Sequence, residues 1–170
     1  NVPMQAFRSL VNYKNVKTIY LRLVRTNREE IKKLDRRDYE KLWKAYTEMK
    51  PEKSWSINLP DLQDYQQHSA EIKIDGLAIG TYFILASIDE KFTLTKNIMA
   101  RQVTYVSNIS YIHTSMNEYY VLDRDSGKPL ANAQVQIWEN KYNYTAGEND
   151  EIKAEKYTTD ETSFFKLKES

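Results

Sequence analysis

Apolar and polar positions alternate along most of this chain, and the places where the period changes mark its elements. Residues 5–12 form a short apolar run that predicts a first strand, followed by a turn at 13–15. Over 16–25, Ile19, Leu21 and Leu23 fall on one face, with Tyr20, Arg22 and Val24 on the other. That predicts a half-buried strand with one wet face. The period then shifts. Tyr39, Leu42, Trp43, Tyr46 and Met49 recur at intervals of three and four within a highly charged stretch, which predicts one helix at 36–49. Asp35 or Asp38 would cap its start, and Pro51 stops it. Alternation returns at 54–60 and 70–75, with a polar loop between them. Gly76 to Gly80 reads as a turn, and 81–87 as a nearly continuous apolar strand suited to the middle of a sandwich. A loop at 89–97 leads to a strand at 98–107. These amount to about seven strands and a helix, the size of one β-sandwich.

A second unit is expected from 108 to 170. Short strands are predicted at 108–114 and 118–124, and Asp125-Ser126-Gly127-Lys128-Pro129 is a strong turn signal. In 133–139, Val135 and Ile137 fall on one face, and Gln134, Gln136 and Trp138 on the other. Residues 140–153 are polar and contain a Gly, and 156–168 read as strand, turn, strand. No Pro-, Gly- or Ser-rich linker separates the units, so a direct strand-to-strand passage is expected. The chain opens without a basic and apolar leader, and a strand is predicted almost to its last residue. It therefore reads as a piece of a longer protein, without a signal peptide of its own.

Composition narrows the chemistry. Of 170 residues, 41% are hydrophobic, enough for a real core rather than a disordered tail. Thirteen Tyr, with frequent Val, Ile and Thr, favour strands. The 25 basic and 24 acidic residues nearly cancel, so no global field draws nucleic acid or an anionic membrane. No apolar run approaches the ~20 residues of a membrane helix. The absence of Cys excludes disulfides, thiolate metal sites and Cys nucleophiles, and four Gly leave little for a phosphate-cradling loop. Neither a cofactor nor an enzymatic activity is expected.

Two stretches carry a family likeness. Gly76 to Ser87 (GLAIGTYFILAS) resembles the "LPxGxYxLxA" strand of macroglobulin-like (MG) domains. Tyr120 to Ile137, with Asp123, Gly127, Lys128, Pro129, Ala133 and Val135, resembles the hairpin of MG2-type domains. Thr158 to Phe165 is similar to the "T-D-x-x-G-x-F" strand that follows it, although the expected Gly near Thr162 or Ser163 is missing. Asn15 to Arg22 resembles the "N-V-x-x-v-y-v-R" strand of Bacteroidetes-type members. In order and spacing these resemble the bacterial alpha-2-macroglobulin family. The 123–135 hairpin is also similar to carboxypeptidase-regulatory-like domains.

The resemblance implies an all-β fold of two tandem immunoglobulin-like or fibronectin-like sandwiches, 1–107 and 108–170, the first with one inserted helix. It implies a non-catalytic scaffold piece of a protease trap in the bacterial periplasm or cell envelope. Its partners would be neighbouring domains of the parent chain and, through the full-length protein, target proteases. It would meet no nucleic acid, and a membrane only through a lipid anchor of the parent. Many members bear a Cys-Gln thioester, which this Cys-free chain cannot hold, and no long flexible bait segment is apparent. The rival reading is a surface adhesion or carbohydrate-binding module.

Candidate residues are few. His68 and His113 stand far apart among polar neighbours and read as solvated side chains rather than ligands. Glu29-Glu30, Asp61 with Asp64, and Glu148 with Asp150 and Glu151 are acidic, but none has a Ca²⁺-loop spacing. Lys32, Lys33, Arg36 and Arg37 are interleaved with acids, as on a salt-bridged face. An interaction surface could comprise Tyr39, Trp43 and Tyr46, although packing on their own sandwich is the favoured reading. Trp138, on a polar strand face, could stack on a sugar or a neighbouring domain. Asn108-Ile109-Ser110 and Asn143-Tyr144-Thr145 match the N-glycosylation acceptor and read as chance.

Overall fold

The computed structural model describes residues 1–144 and 147–168, with Glu148 described by its backbone alone. The chain divides into two compact units, Asn1–Ser107 and Asn108–Ser170. The first contains β1 (Phe7–Tyr13), β2 (Thr18–Thr26), α1 (Arg28–Lys32), α2 (Tyr39–Glu48), β3 (Lys53–Asn58), β4 (His68–Ile74), β5 (Gly80–Ser87) and β6 (Met99–Val106). Six strands therefore stand where about seven were expected, and a second, shorter helix joins the predicted one. Asn27 caps α1 and Asp38, not Asp35, caps α2, each side chain accepting a backbone N–H at 3.0 Å.

All strand pairing in this unit is antiparallel. β3, β2, β5 and β6 form a four-stranded sheet in that order, and β1 pairs with β4. Alternation along β2 and β5 sends successive side chains to opposite faces. Ile19, Leu21, Leu23, Tyr82 and Ile84 point toward β1 and β4, where Tyr13, Ile72 and Ile74 complete a buried cluster. Val24, Phe83 and Leu85 point the other way, against Tyr46 of α2 and Phe92. The expected wet face of β2 is thus largely covered, with Val24 buried and Tyr20 half-buried. Arg22 belongs there too: its guanidinium lies 4.0 Å over the Phe92 ring and donates to the Thr47 carbonyl at 3.3 Å. Covering on both sides explains why 81–87 is apolar without alternation.

Gly76 is set by close approach. A Cβ there would lie 2.3 Å from the Met4 carbonyl oxygen, where the Met4 N–H bonds to Leu77.

The second unit contains β7 (Ile109–Ser115), β8 (Glu118–Asp123), β9 (Gln134–Asn143), β10 (Glu148–Thr158) and β11 (Phe164–Lys166). β7, β8 and β11 form one sheet with β8 central, and β9 pairs with β10. The polar 140–153 stretch, to which the sequence assigned no strand, is mostly strand among its described residues: Asn140 stands opposite Glu151 and Trp138 opposite Lys153. Its alternating charged side chains suit a two-stranded ribbon exposed to water, a pattern that is missed when only apolar alternation is sought. The ladder shifts register between Lys153 and Lys156. There the Gln136 side-chain amide donates to the carbonyls of Ala154 and Glu155, restoring partners the bulge removes.

Candidate functional site

The strongest interaction candidates of the first unit form one ladder of rings. Tyr46 is buried and meets Phe83 edge-on at 5.1 Å. Trp43 meets Tyr46 at 5.6 Å, and Tyr39 meets Trp43 at 6.1 Å, both edge-on. The ladder climbs from the sheet to the surface, where Tyr39 is 72% exposed. Arg101 stands 4.9 Å over Tyr46 and 5.2 Å over Phe83. Tyr46 and Trp43 thus hold α2 on its own sheet, and Tyr39 alone of the three projects into solvent.

Trp138 is not part of that ladder; it belongs to the second unit. Its ring is half-buried and the Lys153 ammonium stands 5.5 Å over it. On the same strand Tyr142 is half exposed and meets Tyr144 edge-on at 5.0 Å. The acceptor triplet that starts at Asn143 runs into Thr145, outside the described residues.

The most fully tied arrangement of the second unit is a pair of polar turns. Asp123 receives the Ser126 N–H at 2.8 Å and the Ser126 hydroxyl at 2.7 Å. These bonds hold its carboxyl below the usual carboxylate range. Gly127, at φ 69°, closes the turn with its N–H on the Asp123 carbonyl. Asp160 repeats the device, receiving the N–H of Phe164 and both the hydroxyl and N–H of Thr162, and its pKa is lowered for the same reason.

Thr159, just before the second turn, clamps the 130–133 segment that follows the first. It is 2% exposed; its hydroxyl donates to the Leu130 carbonyl at 2.7 Å and accepts the Ala133 N–H at 2.8 Å. Ser163 occupies the place where the family pattern has Gly. It adopts φ 72°, is fully buried, and its hydroxyl has no hydrogen-bond partner among the described residues. The turn therefore forms without the glycine.

Titratable groups elsewhere do not converge. His68 is held by Asp64 at 2.8 Å beside the Tyr13 ring, and the contact lowers the Asp64 pKa. His113 stands beside the Tyr119 ring. Asp61 pairs with Lys17 at 2.8 Å. Among the described residues no group of three or more His, Asp or Glu could hold a metal ion. An open depression of about 460 Å³ is lined by Arg25, Thr26, Asn27, Glu30, Gly80 and neighbours. Its polar groups bond inward: Arg25 to the Ile79 carbonyl at 3.0 Å, and Thr26 to Glu30 at 3.0 Å. Sequence reasoning missed the Thr159 clamp and the Arg22 stack. The Thr-Asp pair of the "T-D" strand signalled the first; the second had no local signal.

No family model matches the chain, and no curated protein matches it. Its fold is similar to that of two crystal structures of native alpha-2-macroglobulin from Escherichia coli. The structure spanning domains NIE-MG1 superposes with a TM-score of 0.55 at 13% identity, over 95% of this chain and 78% of that one. The structure spanning MG0-NIE-MG1 gives 0.59 at 13% identity, over 93% of this chain and half of that one. This likeness shows the fold alone: the chain folds like β-domains of that alpha-2-macroglobulin.

Proposed function

We propose that this chain is a scaffold segment of a bacterial alpha-2-macroglobulin-like protein that traps proteases, and that it carries out no reaction itself. What supports the reading is a likeness covering 95% of the chain, across both units in tandem. The stretches read as MG-like, Tyr120 to Ile137 and Thr158 to Phe165, also hold the most fully tied turns. In such a protein a protease cuts a bait segment and the molecule closes on it. These residues would supply stiffness between moving parts, in the periplasm or cell envelope. Their partners would be neighbouring domains of the parent and, through it, the trapped protease.

The test compares the chain with its parent protein. The isolated chain is expected to leave a serine protease unchanged on both a peptide and a protein substrate. The parent is expected to slow the protein substrate while sparing the peptide. Inhibition by the chain alone, or no effect from the parent, contradicts the proposal. The carbohydrate-binding alternative rests on Trp138, and Lys153 standing over that ring weighs against it. A glycan-array signal lost in Trp138→Ala would favour it instead.

A further inference from the structure

Residues 27–38 link the interior strand β2 to α2, and they are lightly held. None of the α1 side chains is buried, and Ile31 and Leu34 pack only partly against the cluster around Phe83. Ile31, Lys33 and Leu34 donate their backbone N–H groups to Asn27, Glu30 and Ile31, so these bonds stay local and join no sheet. A helix of five residues is marginal without such support. The segment also gathers Arg28, Lys32, Lys33, Arg36 and Arg37, all exposed.

The other connectors that carry Lys or Arg are pinned. Lys91 and Lys96 lie in a loop with the buried Phe92, whose Asp89 carboxylate accepts the Thr93 N–H at 2.9 Å and its hydroxyl at 2.7 Å. Arg124 and Lys128 lie in the tight turn that Asp123 holds. In the link from β1 to β2, Lys17 pairs with Asp61 at 2.8 Å and its carbonyl accepts the Leu59 N–H. Lys50 precedes Pro51, whose ring fixes the backbone after that bond. An endoprotease needs its substrate locally opened and extended, so it cuts where opening costs least.

We propose that residues 28–37 are a nicking site for an endoprotease with an acidic specificity pocket, which takes Lys or Arg on the carbonyl side of the cut bond. Water adds across that peptide bond. The new carboxylate ends the piece that carries β2, and the new amine begins the piece that carries α2. The two pieces stay together, because β2 keeps its ladders to β3 and β5 and β1 keeps its ladder to β4. Tyr46 keeps α2 on Phe83. The unit is therefore clipped without coming apart. The cut needs no other domain of the parent, so its outcome is separate from that of protease trapping.

Brief digestion of the folded whole chain with a small amount of trypsin, with fragment masses followed over time, tests this. The first internal cut is expected within 28–37. The two pieces are expected to elute together from a size-exclusion column in native buffer and separately in guanidinium. Asn27→Ala, which removes the α1 cap, is expected to speed that cut about fivefold by raising the opened population. Arg28→Gln, Lys32→Gln, Lys33→Gln, Arg36→Gln and Arg37→Gln together are expected to slow the first internal cut about tenfold or more, since the remaining sites open at higher cost. A first internal cut outside 28–37, pieces that separate in native buffer, or an Asn27→Ala rate no faster than wild type overturns the proposal. If circular dichroism shows the combined Gln variant unfolded, the wild-type cut map decides in its place.

Discussion

The two units solve the same problem with different chemistry. In the first, one sheet is buried on both faces, by β1 with β4 on one side and α2 with Phe92 on the other. In the second, Val121 and Phe165 are the buried apolar side chains among the described residues, and Thr159 and Ser163 are buried as well. A sheet covered on two faces is held by area, which is non-directional. A small unit with so short an apolar list depends on directional bonds, and losing one such bond orphans a buried group. The first unit should therefore fail through cavities and the second through lost hydroxyls.

The largest expected effect sharpens the apolar half of the contrast. Phe83→Ala opens a cavity under α2, where Phe83 touches Tyr46 and Arg101. Chemical denaturation should show a loss of about 3–5 kcal/mol. A loss under about 1 kcal/mol would mean that α2 contributes little to holding the sheet.

The second substitution addresses the polar half. Thr159→Val keeps the shape and removes the hydroxyl that serves both Leu130 and Ala133. It should cost about 1–3 kcal/mol, and Thr159→Ser should recover most of it. Equal losses in both would assign the effect to packing and break the comparison.

The smallest effect has the opposite sign. Ser163→Gly relieves a left-handed backbone and removes a buried hydroxyl that has no partner among the described residues. After the entropy cost of a glycine it should stabilise by about 0.5–1.5 kcal/mol, read as a rise in melting temperature. A fall would mean that the hydroxyl is satisfied in solution.

These outcomes bear on what was legible in the sequence. Alternation located β2, a continuous apolar run located β5 because both of its faces are covered, and short β-prone segments located β7 and β8. Alternation misread the outer face of β2, since Tyr20 and Arg22 look like surface residues until Phe92 and α2 are placed over them. It found the β9–β10 ribbon only where it meets the rest of its unit and assigned no strand to 140–153, because the alternation there is of charge rather than apolarity. It overlooked α1, whose five residues bury none of their side chains completely and leave little periodicity to detect. Of the interaction candidates, the stripe of Tyr39, Trp43 and Tyr46 was visible at helical spacing. Its direction, inward at Tyr46 and outward at Tyr39, depends on the packing of α2. Trp138 was visible only as an aromatic on a polar face, because the Lys153 opposite it is set by a register no local pattern specifies.

Native-state hydrogen exchange on the intact chain tests the contrast most directly, comparing wild type with Thr159→Val. The account predicts slowest exchange in β2 and β5, and faster exchange in β8 and β11. It further predicts that Thr159→Val accelerates β8, β11 and the 130–133 backbone while β2 and β5 stay unchanged. Equal protection of the two units, with Thr159→Val leaving β8 and β11 as slow as in wild type, would contradict it.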